Sequence, residues 1–354
     1  MSSTTTLLIA GLGASTPIGR NVPASAAAAR AGVCGFSEHP YMVDTAGQPM
    51  RVACASWLDA EIDPDARPGE LLLPAIDEAL EPLAGIGSPA RLGLALALPP
   101  PRPGTSPGLA GNLREMVADR YPGLFFKVLA FEAGHAAGHL ALNAASLACS
   151  AGSIDACVVA GVDSYLAPDT LDWLEECDQL HGGGPLNNAW GFIPGEAAGA
   201  VLVASPAFAG YHGLEALGEI VGVGIGREAH LIKTDAVCIG EGLTQAFRQA
   251  LQALDAGEQI HNVFCDLNGE PYRADEYGFA ALRTSERFRS ATDFVAPADC
   301  WGDVGAAGAL LHIALAVLSH RKCYGHGPLS LVWASSESGE RGAAVIRGLD
   351  PREA

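Results

Sequence analysis

The sequence predicts an α/β protein in which strands and helices are stacked in layers. Short apolar runs typical of buried strands alternate with helical stretches in both halves of the chain. Residues 127–162 indicate a central unit, made of a short strand, a sharp turn, an alanine-rich helix and a second strand ending at Ala160 and Gly161. The 43 glycines and the many alanines allow helices to approach a sheet closely. We therefore expect a layered α/β fold whose two halves have a similar order of elements.

Composition limits the class of function. The length of 354 residues and the hydrophobic content of 49% permit a large core. The formal net charge of −19 argues against nucleic acid, whose phosphates require clustered lysines and arginines, and against an anionic membrane surface. The start of the chain, MSSTTTLLIAGLG, lacks the basic segment of a signal peptide, and no run of about 20 apolar residues predicts a membrane span. We expect a cytoplasmic protein that binds neither nucleic acid nor membranes.

Cysteine and glycine patterns exclude two kinds of site. The nine cysteines are scattered and form no CxxC pair, which argues against a zinc ribbon and indicates reduced, mostly buried thiols. The glycines at 11 and 13 invite a dinucleotide-binding interpretation. However, GLGASTPIG lacks the third glycine of that motif and a downstream ribose-binding acid. We predict no cofactor.

The first half supports the fold prediction element by element. Residues 6–13 form an apolar run with a glycine-rich exit, which indicates a buried first strand, and a helix over 22–31 is ended by Gly32. The elements that follow are an amphipathic helix over 71–83, a strand over 91–97, a proline-rich loop over 99–108, the central unit, a polar excursion over 163–190 and a glycine turn feeding a strand over 191–203.

The second half repeats this alternation beyond a seam at residues 206–213. We therefore predict two domains, 1–208 and 209–354, although sequence identity between them is too weak to indicate a repeat. The elements of the second domain are a strand over 219–226, a helix over 242–254, a strand over 262–268, a helix over 279–289, a glycine-then-helix segment over 301–319 and closing strands over 329–334 and 343–346.

Four motifs, in the same order along the chain, resemble the β-ketoacyl-acyl-carrier-protein synthases of the thiolase superfamily. They are LLIAGLGASTPIG, GFIPGEAAGAVLV, EIVGVGIG and GDVGAAGALLHIALAVL, and the resemblance covers nearly the whole chain. It implies a thiolase-like fold, in which two similar halves form stacked α/β/α/β/α layers, and usually a dimer.

The resemblance also implies a catalytic cysteine at a helix N-terminus, where the helix dipole favours the thiolate. Counting back from the strand end at 160–161 puts that position at His135, or at Gly134 if the alignment slips by one residue. Cys149 is the tempting alternative. It would leave only ten residues before Ala160, too few for a helix that recrosses the sheet and for the next strand. We therefore interpret Cys149 as a buried thiol at the end of the helix.

Two histidines that polarise the thioester in this family are also absent. Asp266, in the segment CDLNGEPYRADE, falls at the first of these positions. Asp303 stands at the second, although the shorter segment here could instead align Gly302. The family's lysine is replaced by Ala298 or Pro297. The Cys-His-His triad is therefore predicted to be missing, and decarboxylative condensation is not expected.

His135 and His139 are four residues apart and so share one helical face. With Asp266 and Asp303 they could form a metal site resembling a facial triad or a histidine–aspartate acid–base pair. Alternatively, polar residues fill an abandoned pocket and hydrogen-bond one another. Because the sequence fixes no further ligand, we predict no metal.

Further candidate ligand-binding residues are Phe192 and Glu196, together with His139. Phe192 aligns with an aromatic gatekeeper of the family, and its alternative role is core packing. Glu196 in PGEAAG either contacts a ligand or braces the glycine turn. His181 in HGGG has no accompanying Gly-x-Ser-x-Gly elbow and is interpreted as part of a flexible loop. The acidic run 172–178 indicates a solvated helix face.

The leading hypothesis is a catalytically degenerate ketosynthase-like protein that acts as a binding or assembly partner. By resemblance it is either a subunit like the chain-length factors or a loading or chaperone protein associated with a type VI secretion effector. The competing hypothesis is an active acyltransferase or acyl-thioester hydrolase that uses His135 with Asp266 or Asp303.

The partners follow from the same resemblance. Residues 125–130 correspond to the family's edge strand, which pairs across a two-fold axis. We expect a homodimer, or a heterodimer with a ketosynthase-like protein, and we consider an acyl carrier protein or a secretion effector as further partners.

Overall fold

The computed structural model describes residues 6–59, 61–86 and 91–349. The first five residues of the segment MSSTTTLLIAGLG, which was considered as a signal peptide, lie outside these ranges. Their secondary structure confirms the predicted alternation of strands and helices. The strands are β1 Leu7–Ser15, β2 Ser37–Val43, β3 Pro49–Val52, β4 Leu92–Leu98, β5 Lys127–Glu132, β6 Ala156–Ser164, β7 Glu196–Ala204, β8 Gly218–Arg227, β9 Asn262–Cys265, β10 Phe294–Val295, β11 Leu329–Ser335 and β12 Glu340–Gly348.

Helices connect most of the strands, and some begin at clear capping residues. The Asn21 side chain accepts a hydrogen bond from Ala24 N at 2.9 Å, which starts the first helix. The helices are α1 Val22–Arg30, α2 Arg67–Leu80, α3 Leu109–Arg120, α4 Ala137–Ser150, α5 Pro168–Glu176, α6 Pro206–His212, α7 Glu241–Leu251, α8 Pro271–Arg283, α9 Ala298–Trp301 and α10 Gly308–Arg321. None of the helices within the described ranges is both long and apolar enough to cross a membrane.

Ten of these strands form one mixed sheet made of two equivalent halves. The order in the first half is β5-β4-β6-β7-β1, and in the second it is β10-β9-β11-β12-β8. In both halves the first two pairings are parallel and the last two are antiparallel. Strands β1 and β8 join the halves through antiparallel pairs at residues 7–9. The predicted similarity of the two halves is therefore confirmed at the level of topology.

Helices cover both faces of each half-sheet. Helices α4 and α10 contact strands of both halves and so lie between them. Helix α2 packs on the outer face of the first half, with α3 beside it, and α7 packs on the second half with α8. Separate apolar clusters fill the spaces between these layers. This is the predicted α/β/α/β/α stack.

Glycines on the first strand of each half permit the outer helices to approach closely. A Cβ atom added at Gly13 of β1 would lie 1.8 Å from the carbonyl oxygen of Ala75 in α2. A Cβ added at Gly224 of β8 would lie 1.9 Å from the carbonyl oxygen of Ala246 in α7. The glycines at the start of each half thus permit close helix packing.

The predicted helix over 279–289 has the wrong bounds. Helix α8 begins eight residues earlier at Pro271, whose fixed φ suits the first turn, and it ends at Arg283. The preceding strand, β9, ends at Cys265, so Asp266 is the first residue of the connection between them. This shift brings the first turn of α8 close to Asp266, with consequences for the candidate site.

Several elements were not predicted. These are the hairpin of β2 and β3, the helices α3, α6 and α9, and the short strand β10, whereas helix α5 overlaps the helix face predicted over 172–178. Helix α5 buries Thr170, Leu171 and Leu174, so only part of its surface is the predicted solvated face. The loop at His181, which was interpreted as flexible, is fixed at this residue by a hydrogen bond, because the backbone N–H of His181 donates to the Phe192 carbonyl at 2.9 Å. The domain boundary at 208/209 falls within α6 and stays a proposal.

Candidate functional site

His135 lies in the turn that leads into α4. A single 3-10 turn joins β5 to this helix, and its first residue, Gly134, has a φ of +68°, which favours glycine. Ala136 N donates to Ser336 Oγ at 2.8 Å, and Ser336 Oγ donates to the Ala133 carbonyl at 2.5 Å. These hydrogen bonds tie the turn to the connection between β11 and β12. They hold His135 at the helix start, where the spacing predicted it.

His135 is paired with Asp303. His135 Nε2 lies 2.9 and 3.0 Å from the two carboxylate oxygens, and because a carboxylate only accepts, Nε2–H is the donor. Asn268 Nδ2 and Gly305 N also donate to Asp303, at 2.7 and 2.8 Å. Gly302 has a φ of +74° and precedes Asp303. The alignment left Gly302 and Asp303 open for this position, and Asp303 is the one whose side chain contacts His135.

Arg273, fully buried in the first turn of α8, joins the remaining acids to this pair. Its Nη1 donates to Asp266 Oδ2 at 3.0 Å, and its Nε donates to Glu270 Oε2 at 3.3 Å. Its Nη2 lies 3.4 Å from His135 Nε2. One imidazole and two carboxylates thus converge, as the sequence suggested, around an arginine that was not predicted. We name these residues the histidine–arginine cluster: His135, Asp266, Glu270, Arg273 and Asp303.

Burial and charge oppose each other in this cluster. Burial lowers the pKa of His135, but the Asp303 carboxylate outweighs it, and the pKa lies above its ordinary value. Burial raises the pKa of Asp303, whereas His135 and Arg273 lower it more, leaving it well below the usual range. Burial raises the pKa of Asp266 despite the adjacent Arg273. The permanent charge of Arg273 already supplies a cation among the carboxylates, which argues against a metal ion there.

The space beside the cluster is small. A cavity lined by residues that include His135, Asp266 and Asp303 has a volume of about 20 Å³. That is room for about one water molecule. An acyl chain does not fit in this volume without rearrangement of the surrounding side chains.

Two buried cysteines, Cys265 beside the cavity and Cys149 in α4, are poor nucleophiles. Cys265 lines the same cavity, but its Sγ lies 3.6 Å from the Val295 carbonyl, and burial raises its pKa strongly. Cys149 is the penultimate residue of α4, about 18 Å along the helix from its start. Burial raises the pKa of Cys149 to about 11. Neither thiol is ionised near neutral pH, so neither acts as a ready nucleophile.

Two more histidines lie buried on α4 and α10. His139 Nε2 donates to the Val332 carbonyl at 3.2 Å, and burial lowers its pKa to about 4. Burial likewise lowers the pKa of His312, which stacks on Trp301, to about 3. Both rings are therefore neutral at pH 7. The hydrogen bond of His139 goes to β11 and not to the cluster, and its predicted ligand-binding role stays a prediction.

Glu196 and Phe192 have packing partners. Both oxygens of the fully buried Glu196 are 2.7 Å from the Arg67 guanidinium, and Ser164 Oγ donates to Oε2 at 3.1 Å. Phe192 packs edge-on against Tyr165 with ring centroids 5.6 Å apart. These contacts correspond to the bracing and core-packing alternatives. The ligand-binding roles of Glu196 and Phe192 remain predictions without a supporting contact.

The sequence interpretation missed Arg273 and Asn268, although both stand in the segment CDLNGEPYRADE. One signal could have identified the arginine. A cation in the first turn of a helix is disfavoured by the helix dipole, so an arginine there indicates a partner outside the helix. That signal was hidden because α8 was predicted to start after Arg273.

The His135–Asp303 pair makes part of the stability depend on pH. The folded-state pKa of His135 exceeds its unfolded value of about 6.5. Its contribution is therefore complete below about pH 6.5 and is lost as pH rises through the folded-state pKa. Asp303, whose pKa is lowered, contributes above about pH 4 and loses that contribution as pH falls through its folded-state pKa. We expect the loss of unfolding free energy in His135→Gln to be largest near pH 5, and smaller at alkaline pH.

Urea unfolding of wild type and His135→Gln across this range measures the difference directly. Comparing the two proteins cancels the opposite contributions of His139 and His312, whose pKa values are lowered. His326→Gln is the control, because that exposed histidine forms an ion pair with the exposed Asp293 and exposed pairs contribute little. A difference between wild type and His135→Gln that does not vary with pH would contradict the assigned charge state.

The two half-sheets and the helix layers form a thiolase-like fold similar to that of solved ketosynthases. No protein-family model matches the sequence, and no curated protein matches it. Solved structures match over nearly the whole chain. At the identities found, this similarity establishes the fold alone.

Three of these structures illustrate the match. A chain of AntDE:AntF, a type II polyketide synthase acyl-carrier protein in complex with its ketosynthase, has a TM-score of 0.77 at 16% identity, covering 98% of this chain and 100% of its own. The ishigamide ketosynthase/chain length factor gives the same values. The ketosynthase from module 6 of the bacillaene synthase of Bacillus subtilis 168 has a TM-score of 0.76 at 18% identity, covering 98% of this chain and 72% of its own.

Proposed function

We propose that this chain is a ketosynthase-like subunit that lacks condensation chemistry and works by binding a partner, in the manner of a chain-length factor. The observation that carries the proposal is the state of the nucleophile position. By resemblance, the position of the family's cysteine is taken by His135, whose buried imidazole pairs with Asp303. Arg273 donates to Asp266 and Glu270, and Asn268 donates to both Glu270 and Asp303, so the two aspartates at the positions of the family's histidines share one hydrogen-bond network.

The neighbouring structures support this choice of partner class. One is described as a ketosynthase/chain length factor and another as a ketosynthase in complex with an acyl-carrier protein. By analogy, the partner of this chain is a ketosynthase-like protein or a second copy of the chain. An acyl carrier protein is the expected further component.

The free edge of β5 is the proposed interface. Among the described strands, β5 is the last of the sheet and pairs only with β4. Phe126, just before it, is 65% exposed, and Leu129 is 37% exposed. Beside them lies an apolar hollow of about 140 Å³, lined also by Ile154. An unpaired edge with exposed apolar side chains is suited to pairing with another chain.

Phe126→Asp/Leu129→Asp tests this interface. The double variant places two charges on the pairing edge, so we expect dimers to dissociate at micromolar concentration, as measured by light scattering. Tyr211→Asp is the matched control, because Tyr211 is 86% exposed on α6, away from the edge. A monomeric wild-type protein that also captures no partner would contradict the proposal.

Affinity purification from the native host, with mass spectrometry of the bound proteins, identifies the partner. Recovery of a cysteine-containing ketosynthase, lost in the Phe126→Asp/Leu129→Asp variant, would support a role like that of a chain-length factor. Recovery of a secretion spike or toxin would instead support the loading or chaperone role expected for a type VI secretion effector.

An acyltransferase or acyl-thioester hydrolase is the second candidate, and one observation favours it. A carboxylate orients His135 through Nε2, which is an arrangement used in general acid–base catalysis. We expect no release of free thiol above background from a panel of acyl thioesters, because the adjoining cavity holds about one water. Turnover that disappears in His135→Ala and persists in His326→Ala would establish the enzyme instead.

A further inference from the structure

An apolar hollow of about 250 Å³ lies beside the short strand β10, at the opposite end of the sheet from β5. Helices α1 and α10 and strands β9 and β10 bound it. We name it the β10 hollow, and its apolar lining consists of Ala26, Ala29, Val263, Phe264, Val295 and Leu315. We propose that the β10 hollow binds a small amphiphilic carboxylate, whose charged group is received by Arg30.

The polar side chains inside the β10 hollow already have partners. Asn262 Nδ2 donates to the Gly327 carbonyl at 2.9 Å, and Asn262 Oδ1 accepts from His326 N at 2.7 Å. Ser319 Oγ donates to the Ala316 carbonyl at 2.8 Å. Asn262 and Ser319 are both buried. A hollow of apolar side chains and satisfied polar groups gives water few partners, so it favours the apolar body of a ligand.

Arg30 stands at the rim as a cation that is held in place without being neutralised. It is the last residue of α1, where the helix dipole favours a positive charge. Its guanidinium carbon lies 4.2 Å from the centroid of the Tyr324 ring, which is a cation–π contact. Within the described ranges, the Arg30 side chain forms neither a hydrogen bond nor an ion pair. Because the ring covers a face of the guanidinium, the in-plane N–H groups remain for a carboxylate, which arginine binds through two parallel hydrogen bonds.

The other charged groups that line the β10 hollow form a pair of their own. His326 Nε2 lies 3.3 Å from Asp293 Oδ2, and both side chains are exposed. A second arginine lies beside this pair, since Arg289 Nη1 donates to the His326 carbonyl at 3.3 Å. Asp293 therefore has its own partner, whereas Arg30 has none. An anionic group on the ligand would pair with Arg30, and a cationic group would be repelled by it.

The β10 hollow suits a small molecule better than a pairing strand. It is the counterpart of the hollow beside β5, because β9, β10 and α10 take the places of β4, β5 and α4 in the second half. However, β10 has only two residues and β5 has six, so β10 offers little edge to another chain. The inference does not depend on the proposed partner function, which concerns the opposite end of the sheet.

Calorimetric titration of the full-length chain with octanoate tests the site. We expect one equivalent to bind, and the affinity to rise roughly tenfold from hexanoate to octanoate, because two more methylene groups are buried. Octanol and octylamine carry a similar apolar body without the carboxylate. Both should bind roughly fivefold more weakly than octanoate, which is the upper range for an exposed ion pair.

Arg30→Gln tests the recognition of the charged group. We expect its affinity for octanoate to fall roughly fivefold, to that of octanol, while octanol binding stays unchanged. Arg20→Gln is the matched control, because Arg20 is also an exposed arginine beside an aromatic ring, with its guanidinium carbon 5.0 Å from the Trp57 ring centroid. Equal octanoate binding by Arg30→Gln and wild type would overturn the role of Arg30.

Ala29→Leu tests the position of the apolar body. We expect the affinity for octanoate to fall at least about tenfold, because the added atoms occupy the space of about three ligand carbons. Ala27→Leu is the control, because Ala27 is exposed on the same helix and does not line the β10 hollow. Circular dichroism should show the same fold in both variants. No octanoate binding by the wild type, or unchanged binding by Ala29→Leu, would overturn the proposal.

Discussion

Replacement of Arg273 by methionine is expected to destabilise the protein by about 3–5 kcal/mol. Arg273 is fully buried and donates to both Asp266 and Glu270. Methionine approximates the length of the side chain but removes its charge. Asp266 and Glu270 would then lose the arginine that partly compensates them, and Asp303 would lose one of the cations that lower its pKa. Urea unfolding monitored by circular dichroism measures the change.

A double variant identifies charge as the cause. Arg273→Met/Asp266→Asn removes one of the stranded acids, so it should be more stable than Arg273→Met alone, and the difference gives the coupling free energy. Arg248→Met is the control, because Arg248 is exposed on α7, and it should change stability by about 0.5 kcal/mol or less. Equal stability of Arg273→Met and wild type would show that the cluster does not require the arginine.

The layered fold could be predicted because its determinants are local. Apolar runs at 6–13, 91–97 and 219–226 are recognisable as buried strands from their composition alone, and each lies within or overlaps an observed strand. The predicted start of a helix was wrong where the helix begins without an apolar pattern, as in α8. Pro271, Tyr272 and Arg273 carry no apolar periodicity, so the sequence did not show that α8 starts there.

The candidate site was only partly predictable, because its contacts are long-range. The position of His135 follows from the length of α4, and Asp303 follows from a motif. Their hydrogen bond spans 168 residues, and the contact of Arg273 with His135 spans 138. No local pattern encodes such contacts. The size of the cavity is likewise a property of packed side chains from several elements, and sequence spacing does not report it.

These contacts also join the two halves of the chain. His135 comes from the first half, whereas Asp266, Arg273 and Asp303 come from the second. In an enzyme, convergent polar groups at such a junction leave space for substrate. Here Arg273 and the His135–Asp303 pair fill the junction and leave a cavity of about 20 Å³ beside them.

Gly224→Ala is expected to lower the free energy of unfolding by about 3 kcal/mol or more. The reason is that the added methyl group meets backbone atoms and not a flexible side chain. The nearest atom to a Cβ at this position is the Ala246 carbonyl oxygen at 1.9 Å, and the backbone nitrogen of Ala250 is 2.7 Å away. Relief requires α7 to move away from β8, which opens the apolar core formed with Phe247. Chemical denaturation of the purified variant measures the loss.

Gly111→Ala is the matched control, and its effect should have the opposite sign. Gly111 lies within α3, where a Cβ meets no atom within 4 Å. Alanine should stabilise the helix there by about 0.5–1 kcal/mol. If Gly224→Ala were as stable as wild type, α7 would not approach β8 as closely as the structure shows. The equivalent contact of Gly13 with Ala75 in the first half would then have to be questioned too, because the same topology places both glycines.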